Sequence, residues 1–282
     1  MCATFAKEAL AAITKLCTYL LLGLLAIFLM GPFLFLVSTS LEGGDLFRLE
    51  HLSDLLPNEP TVQAYKDVFR EVPELPRFFL NTAIICFFGV GLELVLASTA
   101  AYPLARMEFR GKGLLFGLLL ATMMLPAQAN IIVNFMTIRS LGLYDTLTAV
   151  FLPSSVSVFG IFLMRQAFLV VPQELEDAAR IDGCNEFTIF TRVMLPLTRP
   201  AMGTLALFGF VAHWNSFMWP LVILKSRELY PLSVGLNHLA NTFGSQFRLV
   251  AAGSVLAMLP IVILFLLLQK QFISGITAGA IK

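Results

Sequence analysis

Residues able to do chemistry are few in this chain and unevenly placed. One carboxylate, Glu93, stands inside the apolar run "GVGLELVLAS", and three amides, Gln128, Asn130 and Asn134, stand in another. Trp214 and Asn215 open "WNSFMWPL". The densest group is "PQELEDAARIDG", beginning at Pro172, which gathers Glu174, Glu176, Asp177, Arg180 and Asp182.

Each group suggests its own chemistry. A carboxylate in apolar surroundings costs free energy unless it is paired. Glu93 therefore either accepts hydrogen bonds from the hydroxyls of a passing solute or is a buried acid, neutral or bonded to a neighbouring chain. Asn130 and Asn134 stand at i, i+4, with Thr137 one turn further, so a regular helix would align them in one polar stripe. Gln128 would point elsewhere unless Pro126 disturbs the helix. Amides offer donors and acceptors without charge, which suits recognition of hydroxyls; equally, they can bond neighbouring membrane helices. Trp214 can stack on a sugar ring or sit at a membrane interface.

Other chemistries are not supported. His51, His213 and His238 share no helical face or ligand spacing, so no metal or acid–base role is expected of them. The cysteines Cys2, Cys17, Cys86 and Cys184 form no C-x-x-C or Cys/His pattern, which argues against a zinc site or a disulfide framework. No G-x-x-x-x-G-K-[ST] phosphate loop is present, and no Ser/His or paired-acid constellation suggests an intramembrane enzyme.

The elements that must position these residues follow from composition. The 282 residues are 58% hydrophobic and 13% charged, with a mean hydropathy of +0.84. Soluble domains carry about 25% charged residues, so lipid is expected to cover much of the surface. The net charge of +1 offers no basic face for nucleic acid. A helix needs roughly 20 apolar residues to cross the hydrocarbon. Six stretches qualify, at about 16–37, 78–104, 114–134, 147–169, 201–223 and 250–268. The first exceeds the short apolar region of a signal peptide and reads as a retained span. Between the first two lies a polar segment with Arg48, Lys66, Arg70 and many acids, expected to form a small helical cap. Arg106, Arg110 and Lys112, with Arg165, Arg180, Arg192 and Arg199, place the loops after the second and fourth spans on the cytoplasmic side. Both termini are then cytoplasmic.

The charged loop reads as a helix with its own punctuation. Pro172 suits a first turn, the acids complement the positive end of the helix dipole, and Glu176 with Arg180 is a favourable i, i+4 pair. Gly183 supplies a stop with positive φ. Asn185 caps a second helix, "EFTIFTRVM", expected to end before Pro196. Glu174, Asp177, Ala178 and Ile181 share one face of the first helix. A short helix is marginal alone, so a docked partner is expected to hold it. The alternative is an interfacial helix on lipid headgroups, which its acids and sparse apolar residues suit poorly.

Here the sequence meets a family. "DAARIDG" followed by "VMLPLTRP" resembles the signature of ABC importer permeases: Glu-Ala-Ala, three residues, Gly, nine residues, Ile, any residue, Leu-Pro. Asp177, Ala178, Ala179, Gly183, Val193, Leu195 and Pro196 fall on those positions. Asp177 stands for Glu and Val193 for Ile, both keeping the chemistry. "LASTAAYPLARMEFRGK", "LGLYDTLTAVFLP", "GIFLMRQAFLVVPQELEDAARIDG", "WNSFMWPL" and "GITAGAIK" are also similar, in order, to segments of maltose-type carbohydrate-importer permeases.

The resemblance implies an all-α, type I importer permease fold: one membrane domain over residues 1–282, with six transmembrane helices and both termini in the cytoplasm of a prokaryotic cell. Loop 171–200 would be the coupling helix and its frame, seated in a cleft of an ATPase subunit. Glu174, Asp177, Ala178, Ala179, Ile181, Asp182 and Gly183 would serve the coupling, and Val193, Leu195 and Pro196 the frame. Expected partners are a second, non-identical permease, two ATPase subunits, an extracytoplasmic solute-binding protein touching residues of about 225–249, and membrane lipid. The chain itself would bind no cofactor and no nucleic acid, since ATP and magnesium belong to the ATPase. Glu93, Gln128, Asn130, Asn134, Trp214 and Asn215 are the candidates for the solute path, and the solute is a sugar, oligosaccharide or polyol. The competing reading is a self-contained secondary transporter or channel, but no inverted repeat is evident and Glu93 is nearly alone as an intramembrane acid.

Overall fold

The computed structural model describes residues 2–43, 57, 59–244 and 246–280, without the side chains of 2–12, 127 and 268–280. Arg48 and His51, within the expected polar cap, lie outside the described residues. Among the described residues the chain is all-helical, with no strand and an isolated bridge between Glu42 and Pro60.

Two compact units emerge. The first comprises Met1–Val72 with Leu239–Leu256. It opens with α1 (Cys2–Ser40), an apolar helix whose side chains are largely bare, Phe28 being 80% exposed. The short amphipathic α2 (Gln63–Glu71) buries Ala64 and Val68 on one face. Its Tyr65 hydroxyl meets the Ser40 hydroxyl at 2.7 Å. Asp67 of α2 pairs with Arg248 at 3.6 Å.

The second unit comprises Pro73–His238 with Ala257–Lys282. Its axis is α3 (Leu75–Arg106), which contains the expected span 78–104. Small residues on α3, among them Gly89, Ala97 and Ala101, let neighbouring helices approach closely. Along it pack α6 (Leu147–Ser154), α7 (Val158–Val170) and α11 (Arg199–Trp214). The core at one end of α3 is built from Ala97, Tyr102, Met164, Phe168, Phe190 and Leu205.

Several expected spans are interrupted. The run at 114–134 divides into α4 (Lys112–Thr122), a 3-10 turn (Ala127–Asn130) and α5 (Ile131–Ser140). Pro126 stands at the break in extended backbone, where a residue without an N–H cannot continue the ladder. The run at 147–169 bends by 48° between α6 and α7. That at 201–223 stops at Trp214 and resumes in α12 (Met218–Ile223). Later elements are α13 (Leu232–Phe243) and α14 (Phe247–Ala280). Among the described residues, three helices are long and apolar enough to cross a membrane, or up to five if each bent pair forms one span.

Candidate functional site: the charged loop

The loop after α7 forms α8 (Gln173–Ile181), with Pro172 one residue ahead of its first turn. It ends as the sequence suggests: Gly183 has φ of +82°, a conformation that disfavours any side chain with a Cβ. Asn185 Oδ1 accepts the Thr188 N–H at 2.8 Å and starts the next helix. That helix does not stop before Pro196. It runs through α9 (Glu186–Thr188) and a wide π turn (Ile189–Met194) into α10 (Leu195–Leu197). The π turn changes the hydrogen-bond register ahead of the proline, so its missing N–H breaks no regular ladder there. A 77° bend then leads into α11.

The expected docking face is free. Glu174, Asp177, Ala178, Ile181 and Asp182 are all exposed, Ile181 by 86%. Ala179 instead turns onto the core, as do Val193 and Leu195, while Pro196 is half-buried. Phe187, 74% exposed, adds a second bare apolar side chain beyond Gly183.

Behind that face lies a set of ion pairs. Glu176 is buried in α8, with Oε1 at 2.7 Å from Arg106 Nε at the end of α3. Arg106 Nη2 also donates to the carbonyl oxygens of Phe168, at 2.6 Å, and Val171. Arg180 donates to Glu186 and Asp177, each at 2.9 Å, and to Glu176 at 3.3 Å. Glu186 in turn accepts the Tyr102 hydroxyl of α3 at 2.8 Å. The hydrogen bond that Arg180 donates to Glu186 chiefly holds its guanidinium above its ordinary pKa, against some desolvation, with Asp177 and Glu176 adding to it.

Basic residues nearby satisfy the end of α3, whose last carbonyls lack helical partners. Arg165 Nε donates to Leu104 O at 3.0 Å, and its guanidinium lies 4.1 Å from the ring centre of Phe116 on α4. Lys112 reaches Met107 O at 2.9 Å. A groove of about 260 Å³ opens between α3 and α9, lined by Thr99, Tyr102, Pro103, Met107, Glu186 and Phe187 with Phe190.

The solute-path candidates separate by exposure. Glu93 is 5% exposed, has the side chain of Ser157 at the start of α7 for a polar neighbour, and lies against Gly209 of α11. Trp214 is 7% exposed, stacks with Phe210, and donates its indole N–H to Ala257 O at 3.0 Å. By contrast Gln128, Asn130 and Asn215 are exposed and Asn134 is half-buried. Asn215 bonds its own helix through Val211 O at 3.0 Å. Because Pro126 turns the chain, Gln128 and Asn130 share one short 3-10 turn rather than a regular helix. Among the described residues no group of His, Cys, Asp and Glu could hold a metal ion.

Some organising residues carried no recognisable motif. In the sequence Arg106 and Arg165 are legible only as charges that orient loops, and no motif singles out Tyr102 or Glu186. Asp145, in a tight turn at φ of 60°, accepts from the N–H groups of Lys225 and Ser226 at 2.8 and 2.9 Å and from the Ser226 hydroxyl at 2.6 Å.

An all-helical membrane fold carrying an exposed, internally braced loop with this signature defines a class of transport subunit. Residues 93–278 match the family model described as binding-protein-dependent transport system inner membrane component, and the chain belongs to that family. It is 36% identical over 265 residues to the arabinooligosaccharides transport system permease protein AraQ of Bacillus subtilis, covering 94% of this chain and 93% of that one. Against the maltodextrin transport system permease protein MdxG of the same organism, identity is 34%, over 96% of this chain and 97% of that one. A crystal structure of a bacterial ABC transporter involved in import of the acidic polysaccharide alginate contains a similar chain. The match has a TM-score of 0.80 and 28% identity, over 92% of this chain and 96% of that chain.

Proposed function

We propose that the chain is one permease subunit of an ATP-driven importer for neutral oligosaccharides. The observation that carries this reading is α8: a short helix with Glu174, Asp177, Ala178 and Ile181 exposed on one side and Glu176 buried on the other. Helices of this length persist only through tertiary contacts; the chain braces the buried side of α8 through Arg106, and the exposed face suits a cleft in another protein. That protein is a cytoplasmic ATPase, present in two copies with its own ATP and magnesium. A second permease completes the path, and an extracytoplasmic binding protein delivers the solute to the side that carries residues of about 225–249.

In this reading the chain is a single multi-pass domain of the cytoplasmic membrane with six spans and both termini in the cytoplasm. The interrupted segments count as broken spans, which membranes tolerate where the freed backbone is covered by protein or water. Gln128, Asn130, Asn134 and Asn215 line the path. Exposed amides are costly against hydrocarbon, so they face the companion permease or the water-filled route. Glu93 and Trp214, both buried, support that wall from behind. No Lys or Arg is placed deep in these spans, which suits a neutral solute. Arabinooligosaccharides, maltodextrin and galactooligosaccharides, named for its relatives, are of that class.

Transport follows by alternating access. Closure of the ATPases on ATP moves α8 and opens the path toward the loaded binding protein, and hydrolysis resets it. The test is uptake of labelled oligosaccharide into proteoliposomes holding the purified complex. Uptake is expected only with internal ATP and external binding protein. Uptake by this chain alone, driven by an ion gradient, would overturn the proposal.

A further inference from the structure

Five side chains around α8 form a closed circuit. Arg106 contacts Glu176, Glu176 contacts Arg180, Arg180 contacts Glu186, and Glu186 contacts Tyr102. Tyr102 and Arg106 are i, i+4 on α3, so one turn of that helix closes the ring. Charge alternates from Arg106 through Glu176 and Arg180 to Glu186, and the neutral Tyr102 hydroxyl ends the series. The Arg106–Glu176 pair is the buried member, with side-chain exposures of 11% and 2%.

The two arginines play different parts. Arg180 is 39% exposed, and its partners are Glu176, Asp177 and Glu186, all in the loop. It stiffens the loop against itself. Arg106 instead joins three elements: it springs from the last turn of α3, meets Glu176 of α8, and donates to Phe168 O and Val171 O where α7 ends. The exchange is returned, since Arg165 of α7 donates to Leu104 O at the end of α3. Displacing α8 without displacing α3 and α7 would separate a buried pair from its counter-charge, a costly change.

We propose that Arg106 is the positioning residue that transmits movement of α8 to α3 and α7, acting through Glu176 and the carbonyl oxygens of Phe168 and Val171. This rests on α8 being the site where the ATPase is held. A planar guanidinium is required: Nη2 donates to both carbonyl oxygens while Nε lies at ion-pair distance from Glu176, whereas a lysine ammonium is a single mobile point charge. Loss of the bracket leaves the docking face intact but lets α8 move without the membrane helices. ATP is then spent with little solute moved.

The experiment measures solute transported per ATP hydrolysed in the complete reconstituted transporter, for the wild type, Arg106→Lys, Glu176→Gln, Tyr102→Phe and the double apolar variant Arg106→Met/Glu176→Leu. ATPase co-purification is recorded for each. The expected result is retention of the ATPase with a ratio lower by about fivefold or more in Arg106→Lys and the double variant, the range of a typical coupling free energy. Glu176→Gln and Tyr102→Phe, which preserve shape, should fall less and in the same direction. A merely structural role would lower complex yield, hydrolysis and transport together and leave the ratio unchanged, and that outcome overturns the proposal. So does a wild-type ratio in the double variant. Should Arg106→Lys or the double variant fail to assemble, an unchanged ratio in both mild variants overturns it equally. If the wild-type chain holds no ATPase, the coupling reading itself fails, a result visible in the co-purification alone.

Discussion

A Cβ placed on Gly89 would stand 2.6 Å from Cε1 and Nε2 of His213, so the bare backbone of α3 receives the imidazole of α11. The relationship is reciprocated one turn away. Gly209 of α11 makes room for the carboxyl of Glu93 on α3. Residues 89 and 93 rise along α3 as 213 and 209 descend along α11, so the two helices run antiparallel with two polar side chains each seated against the other's glycine. Both side chains are 5% exposed.

A methyl group at either glycine should therefore force the pair apart. Gly209→Ala and Gly89→Ala are each expected to destabilise the chain by about 1–3 kcal/mol, the usual cost of overpacking. Gly91→Ala is the control, because nothing lies within 4 Å of its added Cβ. There the gain in helix propensity should leave stability equal or up to about 1 kcal/mol higher. Thermal unfolding in one detergent, monitored by fluorescence, ranks the three. Equal midpoints for Gly209→Ala and Gly91→Ala would refute the seating.

Asp145 ties the turn before α6 to the segment entering α13. Desolvation opposes its ionisation, but the Ser226 hydroxyl and the N–H groups of Ser226 and Lys225 outweigh it and hold the carboxyl below its ordinary value of 3.8. The tie is thus fully present above that value and is lost as pH falls through the lower native one. Asp145→Ala removes it at every pH, at a cost of about 1–2 kcal/mol for a partly exposed charged acceptor. Amide hydrogen exchange at Lys225 and Ser226 should accelerate in the variant, and unchanged exchange would show that the turn is held otherwise.

What could be read in the sequence was local. The limits of α8, the stop at Gly183 and the cap at Asn185 are signals that span a few residues, and they appear in the structure where expected. The ring behind α8 was hidden because Tyr102 and Glu186 are 84 positions apart and no spacing rule joins them. Arg106 and Arg165 read as orienting charges because a count of charges says nothing of which carbonyls they meet. Hydropathy found the apolar runs but averaged over their breaks. Pro126 carried the warning of one break, and Pro153, the polar pair Ser154 and Ser155, and the cap Ser157 mark the bend between α6 and α7.

If the exposed amides line the solute path, replacing them should affect solute handling before it affects folding. Asn130→Leu and Asn134→Leu are expected to raise the solute KM for uptake by about fivefold or more, the loss of one or two hydrogen bonds. Complex yield should be unchanged, because Asn130 is exposed and Asn134 half-buried. Unaltered uptake kinetics with reduced association of the second permease would assign these amides to the contact between permeases instead.

Ile181, 86% exposed, is the large apolar residue of the face assigned to docking, and it stands two positions before the glycine that ends α8. Ile181→Glu should weaken ATPase association by placing a charge where an apolar knob is expected to be buried, a cost of about 2 kcal/mol or more. Leu197→Glu offers a comparison. It alters an apolar side chain of the same loop that is 50% exposed and lies outside that face, and it should have a smaller effect. Binding of purified ATPase to the chain in nanodiscs gives the two affinities.

The central claim is that residues 171–200 grip an ATPase. A mild-detergent pull-down of the tagged chain from its own host, with identification of what accompanies it, tests this most directly. The wild type should bring down an ATPase and a second permease. Gly183→Asp, which asks a residue with a Cβ to adopt φ of +82°, should bring down much less of the ATPase. A homo-oligomer without ATPase, indifferent to Gly183→Asp, would contradict the claim and point to a transporter that works alone.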